Sequence, residues 1–296
     1  MKFGVREICD VVFKALQKVK IGDLTFEKGQ PVLYIDTAKT STIEGAATTV
    51  YATGGRGNAR LIAWEGEKTL TFTVEDALLS PIGFAVLSGA GLFNLDNHKT
   101  AMVHCTAVGQ LDTEGSLEVD EPISDKAPIF VTSLEQGSIG AKLTATIEAG
   151  ADGKNRIVTV AGHTGQVFVD YYTERETGVT EIQIDAGNFA GFYYVEASTL
   201  FRREEDGKDM PAEIVFPRVK IQSNFTFNMA ATGDPSTFTF TMDAFPAYTM
   251  FDKKKKVLCA IQVVADDEQH VYDNPVTRLE EGYAVDAEIM DADSKE

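Results

Sequence analysis

Val219-Lys-Ile-Gln-Ser-Asn-Phe-Thr-Phe-Asn-Met229 and Thr237-Phe-Thr-Phe-Thr-Met242 decide the fold of this chain, and Thr69-Leu-Thr-Phe-Thr-Val74 follows the same pattern. In each stretch an apolar residue alternates with Thr, Ser, Asn or another polar residue. Such alternation is typical of a β-strand with one face in a core and the other in water. We therefore predict long, half-buried strands over 214–230 and 236–245, and a third over 69–74.

The water-facing side chains of these predicted strands are neutral and rich in hydroxyl groups. Exposed strands more often carry lysines, which guard against unwanted pairing between molecules. A smooth neutral face suits a surface along which another molecule slides, and it suits a catalytic cleft poorly.

The rest of the chain predicts a mainly β fold. Short strands separated by turn signals occupy 102–183, and further strands follow at 180–184, 192–197 and 257–265. This spacing is typical of all-β proteins. Residues 37–60 are rich in Thr, Ala and Gly and predict a long loop, and loops of this length are generally functional or disordered.

Two segments predict helical structure. Residues 5–20 place apolar side chains at three- and four-residue spacing, which indicates a short amphipathic helix or an N-terminal arm. Residues 75–91 are nearly all apolar and predict a helix packed over the sheet. Its start would be capped by Asp76 or Ser80, and its end would lie at Gly89 or Gly91.

The chain is strongly acidic. Its 296 residues have a formal net charge of −18, and this disfavours direct binding to a nucleic-acid backbone because that affinity comes mainly from Lys and Arg. Residues 266–296 hold eleven acidic and two basic side chains. Such ends are solvated tails or partner-docking segments. The one basic cluster, Lys253–Lys256, is either a solvated turn or a contact for an acidic neighbour.

The sequence contains none of the common motifs for catalysis or nucleotide binding. We find no nucleophile elbow, zinc-protease motif or P-loop, and we expect no catalytic residue, no cofactor and no metal. His98 and His104, with Asp96, have a weak metal spacing. The turn that contains Asp152 and Asn155 lacks a full set of calcium ligands.

Cysteine usage and hydropathy indicate the compartment. Cys9, Cys105 and Cys259 are odd in number and far apart, which predicts free thiols in a reducing environment. No apolar run approaches the ~20 residues of a membrane span. We therefore expect a protein that is made in a cytoplasm and does not enter a membrane.

Two blocks, 52–80 and 216–245, together resemble the major tail tube proteins of tailed bacteriophages, in particular those with contractile tails. The first block contains Thr53-Gly-Gly-Arg-Gly-Asn58, and the second contains the alternating strands quoted above. The resemblance extends over about 35–110 and 165–265. It implies an antiparallel β-sandwich or barrel-like tube subunit with a flanking α-helix and a long inter-subunit loop. Such subunits form stacked, six-membered rings, which make the hollow tube through which DNA is ejected.

The resemblance also implies roles for particular residues. The polar strand faces would line the channel of the tube, through Thr71, Thr73, Thr226, Asn228, Thr239 and Thr241. The long loop, 37–66, would reach the neighbouring subunit or ring, through Gly54, Gly55, Arg56, Gly57, Asn58 and Trp64. Trp64 could equally anchor a core. The family has no catalytic residues to carry over.

We expect a tube-like β domain over 1–265, in which 113–165 is a possible elaboration, and an acidic tail over 266–296. The partners would be further copies of the chain, together with tail sheath, baseplate and tape-measure proteins. DNA would pass through the channel without specific binding, since an acidic wall repels it. The protein would belong to the virion tail and would be assembled in the cytoplasm of the bacterial host.

Two other functions remain open at this point. One is a different virion protein, such as a decoration, sheath or baseplate protein with an immunoglobulin-like domain. The other is a carbohydrate-binding β-sandwich module, which would need an exposed aromatic platform. The candidates for such a platform are Tyr171-Tyr172 and Phe192-Tyr-Tyr194.

Overall fold

A computed structural model describes residues 2–5, 7–93, 99–149, 156–226, 229, 231–232 and 237–264. These residues form strands β1 (Phe3–Val5), β2 (Asp10–Ala15), β3 (Val19–Ile21), β4 (Leu24–Phe26), β5 (Pro31–Ile35), β6 (Ala38–Gly54), β7 (Ala59–Asp76), β8 (Gly91–Phe93), β9 (Ala101–Gln110), β10 (Ser116–Val119), β11 (Phe130–Glu135), β12 (Ser138–Leu143), β13 (Ala145–Ala149), β14 (Arg156–Val160), β15 (Gln166–Arg175), β16 (Glu181–Gln183), β17 (Phe192–Arg203), β18 (Asp209–Ile221), β19 (Phe238–Ala244) and β20 (Ala260–Val263). Helix α1 (Pro81–Ser88) follows β7. The fold is therefore mainly β, as the alternation predicts.

The largest sheet has nine strands, all paired antiparallel. Seven of them follow the order β5-β2-β17-β18-β19-β7-β6, while β1 pairs with β17 and β20 pairs with β18. The predicted strand at 69–74 lies inside β7, and the one at 236–245 matches β19. Their registers align Thr241 with Thr73 and Phe240 with Val74.

This sheet is curled, so that its apolar face lies inside. Strands β5 and β6 stand at opposite ends of the strand order, yet only Asp36 and Thr37 join them. The rings of Phe13 on β2 and Phe240 on β19 have centroids 6.1 Å apart. In a flat sheet these strands, three places apart, would be separated by about 14 Å. No ladder joins β5 to β6 in the described part of the chain, so the barrel stays open.

Helix α1 packs on the inner face of the curled sheet. The Ser80 side chain accepts a hydrogen bond from the Gly83 amide at 3.0 Å, Pro81 opens the helix, and Gly89 ends it with a φ of 75°. These limits confirm the Ser80 and Gly89 predictions. Asp76 does not cap the helix; it ends β7 and accepts a hydrogen bond from the Thr37 hydroxyl at 2.5 Å.

Three predictions about secondary structure are wrong. Residues 5–20 form strands rather than a helix, because Val11, Phe13 and Ala15 are buried at every second position. Residues 37–60 are mostly the long strand β6 rather than a loop. The strand predicted over 214–230 ends earlier, since β18 stops at Ile221 and the chain then leaves the sheet.

A smaller β region lies between β9 and β15. Strands β12-β11-β15-β9 form one sheet and β10-β14-β13 form another. They share a second apolar cluster, separate from the main core, which consists of Leu111, Val119, Ile123, Val131, Val158, Val160, Val167, Val169 and Tyr171. This region contains the described residues of the predicted elaboration 113–165 and extends beyond it at both ends. The division of the chain into domains stays a prediction.

The curled sheet makes Phe240 the side chain that links distant strands of the core. We expect Phe240→Ala to lower the free energy of unfolding by about 3–5 kcal/mol, because it removes a ring that is 1% exposed. Urea denaturation of the monomer measures this change. The matched control is Phe251→Ala, since Phe251 is 91% exposed. A loss below about 1 kcal/mol for Phe240→Ala would contradict the curled core.

Candidate functional site: an extended arm and a polar sheet face

Strands β6 and β7 form a two-stranded arm that extends beyond the sheet. They pair with each other from Ala38 and Asp76 to Gly54 and Ala59, whereas β19 pairs with β7 only over 71–76. Residues 45–70, here called the arm, therefore have no third strand beside them among the described ladders. Their Thr, Val, Ile and Tyr side chains favour extended backbone.

A tight turn closes the tip of the arm. Gly55 and Gly57 have φ angles of 77° and 87°, which glycine adopts without strain, and Asn58 has a φ of 50°. The Asn58 amide donates a hydrogen bond to the Gly55 carbonyl at 3.2 Å. Residues 55–58, which are part of the predicted long loop, are thus the four-residue turn of a hairpin.

The arm exposes large apolar side chains. Leu61 is 66% exposed and Trp64 is 53% exposed, and Val50 and Ile62 are also exposed. Val50 pairs directly with Trp64, and Ala52 pairs with Ile62, so these side chains share one face of the arm. A two-stranded hairpin is marginal by itself, and clustered exposed apolar residues mark interaction surfaces. Trp64 is therefore no core anchor of its own subunit.

Four of the six predicted channel residues lie together on the outer face of the sheet. Thr73 pairs with Thr241 on one side and Thr42 on the other, and Thr71 and Thr239 lie on the same face. The residues between them, Phe72, Val74, Phe240 and Met242, point to the core and are buried. The alternation in sequence thus separates an apolar inner face from a hydroxyl-bearing outer face.

Of the other two predicted channel residues, only Thr226 is described, and it is not in a strand of this face. Thr226 is exposed and lies in a segment without strand structure. It lines a cleft of about 250 Å³ with Thr237, Thr239 and Thr241. The chain leaves the sheet here because the Phe225 ring packs edge-on against Phe84 of α1, with centroids 4.9 Å apart. Asn228 lies outside the described residues.

The outer face carries carboxylates as well as hydroxyl groups. The sequence did not predict these carboxylates. Glu75 lies between Thr239 and Thr40, and its carboxylate accepts hydrogen bonds from the hydroxyls of Thr237 and, at 3.2 Å, Thr40. These hydrogen bonds hold the pKa of Glu75 below its usual range, with the bond from Thr237 contributing most.

A second carboxylate lies two pairs further along the face, beyond the Thr73–Thr241 pair. Asp243 pairs with Thr71, whose hydroxyl donates to it at 3.3 Å. The Gln222 side-chain amide donates to the same carboxylate at 3.1 Å. Cross-strand hydroxyl–carboxylate pairs therefore repeat along the face, and no sequence signal fixes them because they depend on register.

The other candidate features are a metal site, a membrane-spanning helix and the three cysteines. Within the described ranges, no cluster of three His, Cys, Asp or Glu side chains could hold a metal, and no helix is long and apolar enough to cross a membrane. His104 pairs with Asp170 at 2.7 Å; the predicted partners His98 and Asp96, as well as Asp152 and Asn155, lie outside the described residues. The three cysteines are free thiols, as predicted.

An arm without a partner and a polar face beside it are features of a subunit built to assemble. Residues 17–257 match the YomU/Tube protein family. The chain belongs to the YomU/Tube family. This family name indicates a structural protein of a phage tube, so the coarse part of the tail-tube resemblance is confirmed. It points to a structural, self-assembling component of a virion tail. No curated protein matches the chain.

The hydrogen bonds to the Glu75 carboxylate, on the outer face of this YomU/Tube protein, can be tested by substitution. We expect Thr237→Val to raise the pKa of Glu75 towards its usual value, because the main donor to the carboxylate is lost. NMR titration of the Glu75 carboxyl carbon measures the shift. A depressed pKa stabilises the fold above the unfolded-state pKa, and this contribution is lost as the pH falls through the folded value. Thr239→Val is the control and should leave the Glu75 pKa unchanged.

Proposed function

We propose that this protein is the repeating subunit of a hollow phage tail tube, in which stacked, six-membered rings surround a channel for DNA ejection. The observation that carries the proposal is the arm, whose apolar face is not covered by any of the described residues of its own subunit. Membership of the YomU/Tube family supports the tube itself. Ring number, contractile type and DNA passage are the parts that we infer.

The direction of the arm suits head-to-tail stacking. Strand β7 is antiparallel to β19, and β19 is antiparallel to β18, so β7 and β18 run in the same direction. The tip of the arm and the turn between β17 and β18 therefore lie at one end of the sheet. A contact between this end and the opposite end of another subunit is heterologous, and such contacts repeat into open stacks. The arm would thus join one ring to the next.

The open edges of the sheet suit ring closure. Strands β5 and β6 each have one edge without a ladder in the described residues. An edge strand offers unpaired amide and carbonyl groups to another chain. Lateral contacts between the β6 edge of one subunit and a free edge of the next would close a ring and continue the hydroxyl-bearing face around it. The long, exposed edges would then be protected from uncontrolled pairing.

The outer face suits the wall of a DNA channel. Thr71, Thr73, Thr239 and Thr241 offer no positive charge. Glu75 and Asp243 add two negative charges to this face, against one lysine, Lys220, that pairs with Asp243. Because DNA affinity comes from cations that displace counterions, such a wall does not retain a polyanion. The net charge of −18 adds a general repulsion. Tail sheath, baseplate and tape-measure proteins would be the other partners, as in contractile tails.

The rival functions find less support. A carbohydrate-binding module would need a continuous aromatic platform, but among the candidates Tyr171, Tyr193 and Tyr194 are buried. The remaining two, the half-buried Tyr172 and the exposed Phe192, lie on different sheets. A decoration, sheath or baseplate protein would not require an arm that lies beside a polar sheet face. We therefore retain the tube subunit as the function that fits the described surfaces best.

The role of the arm in assembly can be tested with variants of its exposed apolar side chains. At high concentration and in high salt, which screens the charge, the wild-type protein should form rings or tubes in electron micrographs. Leu61→Ser with Trp64→Ser should raise the concentration needed for tubes more than about tenfold, because two apolar contacts are lost. The free energy of unfolding should change by less than about 0.5 kcal/mol, since both side chains are exposed.

Ile139→Ser is the control for this test, because Ile139 is as exposed as Leu61 but lies on β12 of the smaller region. It should leave tube formation unchanged. Normal tubes from the double arm variant would exclude the arm as the contact between rings. Wild-type protein that sediments only as a monomer at every concentration and salt would contradict the tube subunit.

The position of the polar face on the channel wall can be tested with lysine substitutions. In tubes of Thr73→Lys with Thr241→Lys, DNA should be retained in low salt and released as the salt rises, because each lysine adds a phosphate contact. A filter-retention assay with labelled DNA measures this binding. Ser138→Lys with Thr146→Lys adds the same charge to exposed positions of the smaller region and is the control. Equal retention by both variants would place the threonines elsewhere than on the channel wall.

A further inference from the structure

A lysine-bearing loop lies between β19 and β20, and the proposed assembly does not use it. The loop comprises residues 248–256 and is here called the lysine loop. Its base is closed by Ala247 and Val257, whose amide and carbonyl groups bond each other at 3.1 and 2.8 Å. Lys253–Lys256 are all exposed, and one acid, Asp252, accompanies them. On a chain of net charge −18 this is an isolated positive surface.

Exposed aromatic rings surround these lysines. The Lys256 ammonium lies 5.5 Å above the Tyr248 ring, and the Phe251 ring is almost fully exposed. At the base of the loop, the Arg218 guanidinium lies 4.2 Å from the Phe192 ring centroid and 5.9 Å from that of Phe245. The surface therefore combines positive charge with apolar area, and it fits a segment that is both acidic and apolar.

The C-terminal segment of the same chain has this composition. Residues 266–296 carry eleven acidic and two basic side chains, and apolar residues such as Tyr272, Tyr283 and Ile289 are spread among the acids. The segment begins directly after β20, where the Val264 amide bonds the Pro211 carbonyl at 2.9 Å. The charge and the apolar content of this segment both complement the lysine loop.

We propose that the acidic segment 266–296 docks on the lysine loop of its own chain. Val264 is eight residues from Lys256, so at most about 28 Å separates them. A segment of 32 residues, 265–296, spans up to about 100 Å when extended and reaches the loop easily. The short tether raises the effective concentration of the segment, which favours its own loop over that of a second copy. Because the lysines of the loop are exposed to solvent, the docking weakens as salt increases.

Trypsin cleavage after Arg278 tests the docking in the full-length protein. In a dilute solution at low salt, the Arg278–Leu279 bond should be cut about tenfold more slowly than in a free peptide of residues 270–296. The protection should disappear at high salt, measured relative to the same peptide. It should also disappear in Lys254→Glu with Lys255→Glu, because the positive surface is lost. Mass spectrometry of the released C-terminal fragment gives the rates.

The control variant is Lys20→Glu with Lys28→Glu, which changes the net charge equally at exposed lysines on other parts of the chain. It should keep the wild-type protection. Loss of protection in the control would show that net charge, not the lysine loop, is responsible and would overturn the proposal. Equal cleavage of wild type, loop variant and free peptide would also overturn it. Protection that vanishes on dilution would assign the docking to a second copy instead.

Carbodiimide coupling gives a second, independent measurement. This reagent joins amines to carboxylates that are in direct contact, so it should link Lys254, Lys255 or Lys256 to acids of 266–296 in the monomer fraction. Links of these lysines only to acids within 2–264 would contradict the docking. The measurement does not depend on tube formation, so its outcome and that of the assembly tests are separate.

Discussion

The position of the arm and of the polar face depends on the burial of alternate residues inside one curled sheet. Phe13, Phe72, Phe216 and Phe240 come from four different strands and meet in one core, where the rings of Phe72 and Phe216 stack at 4.8 Å. Once these rings are inside, the period of two residues forces Thr71, Thr73 and their neighbours outward. The hydroxyl-bearing face is therefore a direct consequence of the core and needs no separate fold element.

The arm differs from the sheet, because Leu70 at its base is its one residue among the described core contacts. Its ladder continues to the tip with two register shifts, but a two-stranded ribbon in water buries little apolar area and gains little stability. The 26 residues of 45–70 are thus expected to contribute little to the free energy of folding of the monomer. A neighbour that covers Val50, Ile62 and Trp64 would supply the missing burial. The arm would then gain its stability from assembly, whereas the rest of the subunit could fold before it polymerises.

The sequence predicted what local physics controls and missed what depends on distant partners. Alternation located β7 and β19, and the Ser80 and Gly89 signals located α1, because burial and capping act over a few residues. Strand β6 was missed because an arm without a buried face shows no alternation. Residues 5–20 were misassigned because helical spacing arose by chance in three short strands. The hydroxyl–carboxylate pairs of Glu75 and Asp243 depend on register, which the sequence does not reveal.

The negative net charge of the subunit limits the kinds of contact that can drive its assembly. Copies that each carry −18 repel one another, so attraction between copies must come from apolar contacts and backbone pairing rather than from their net charge. In the proposed assembly the arm and the sheet edges would provide these two kinds of contact. The lysine loop is the exception, since it would attract the acidic surfaces of neighbouring copies. If the segment 266–296 covers it, this unspecific attraction is removed, and the order of assembly is left to the arm and the edges.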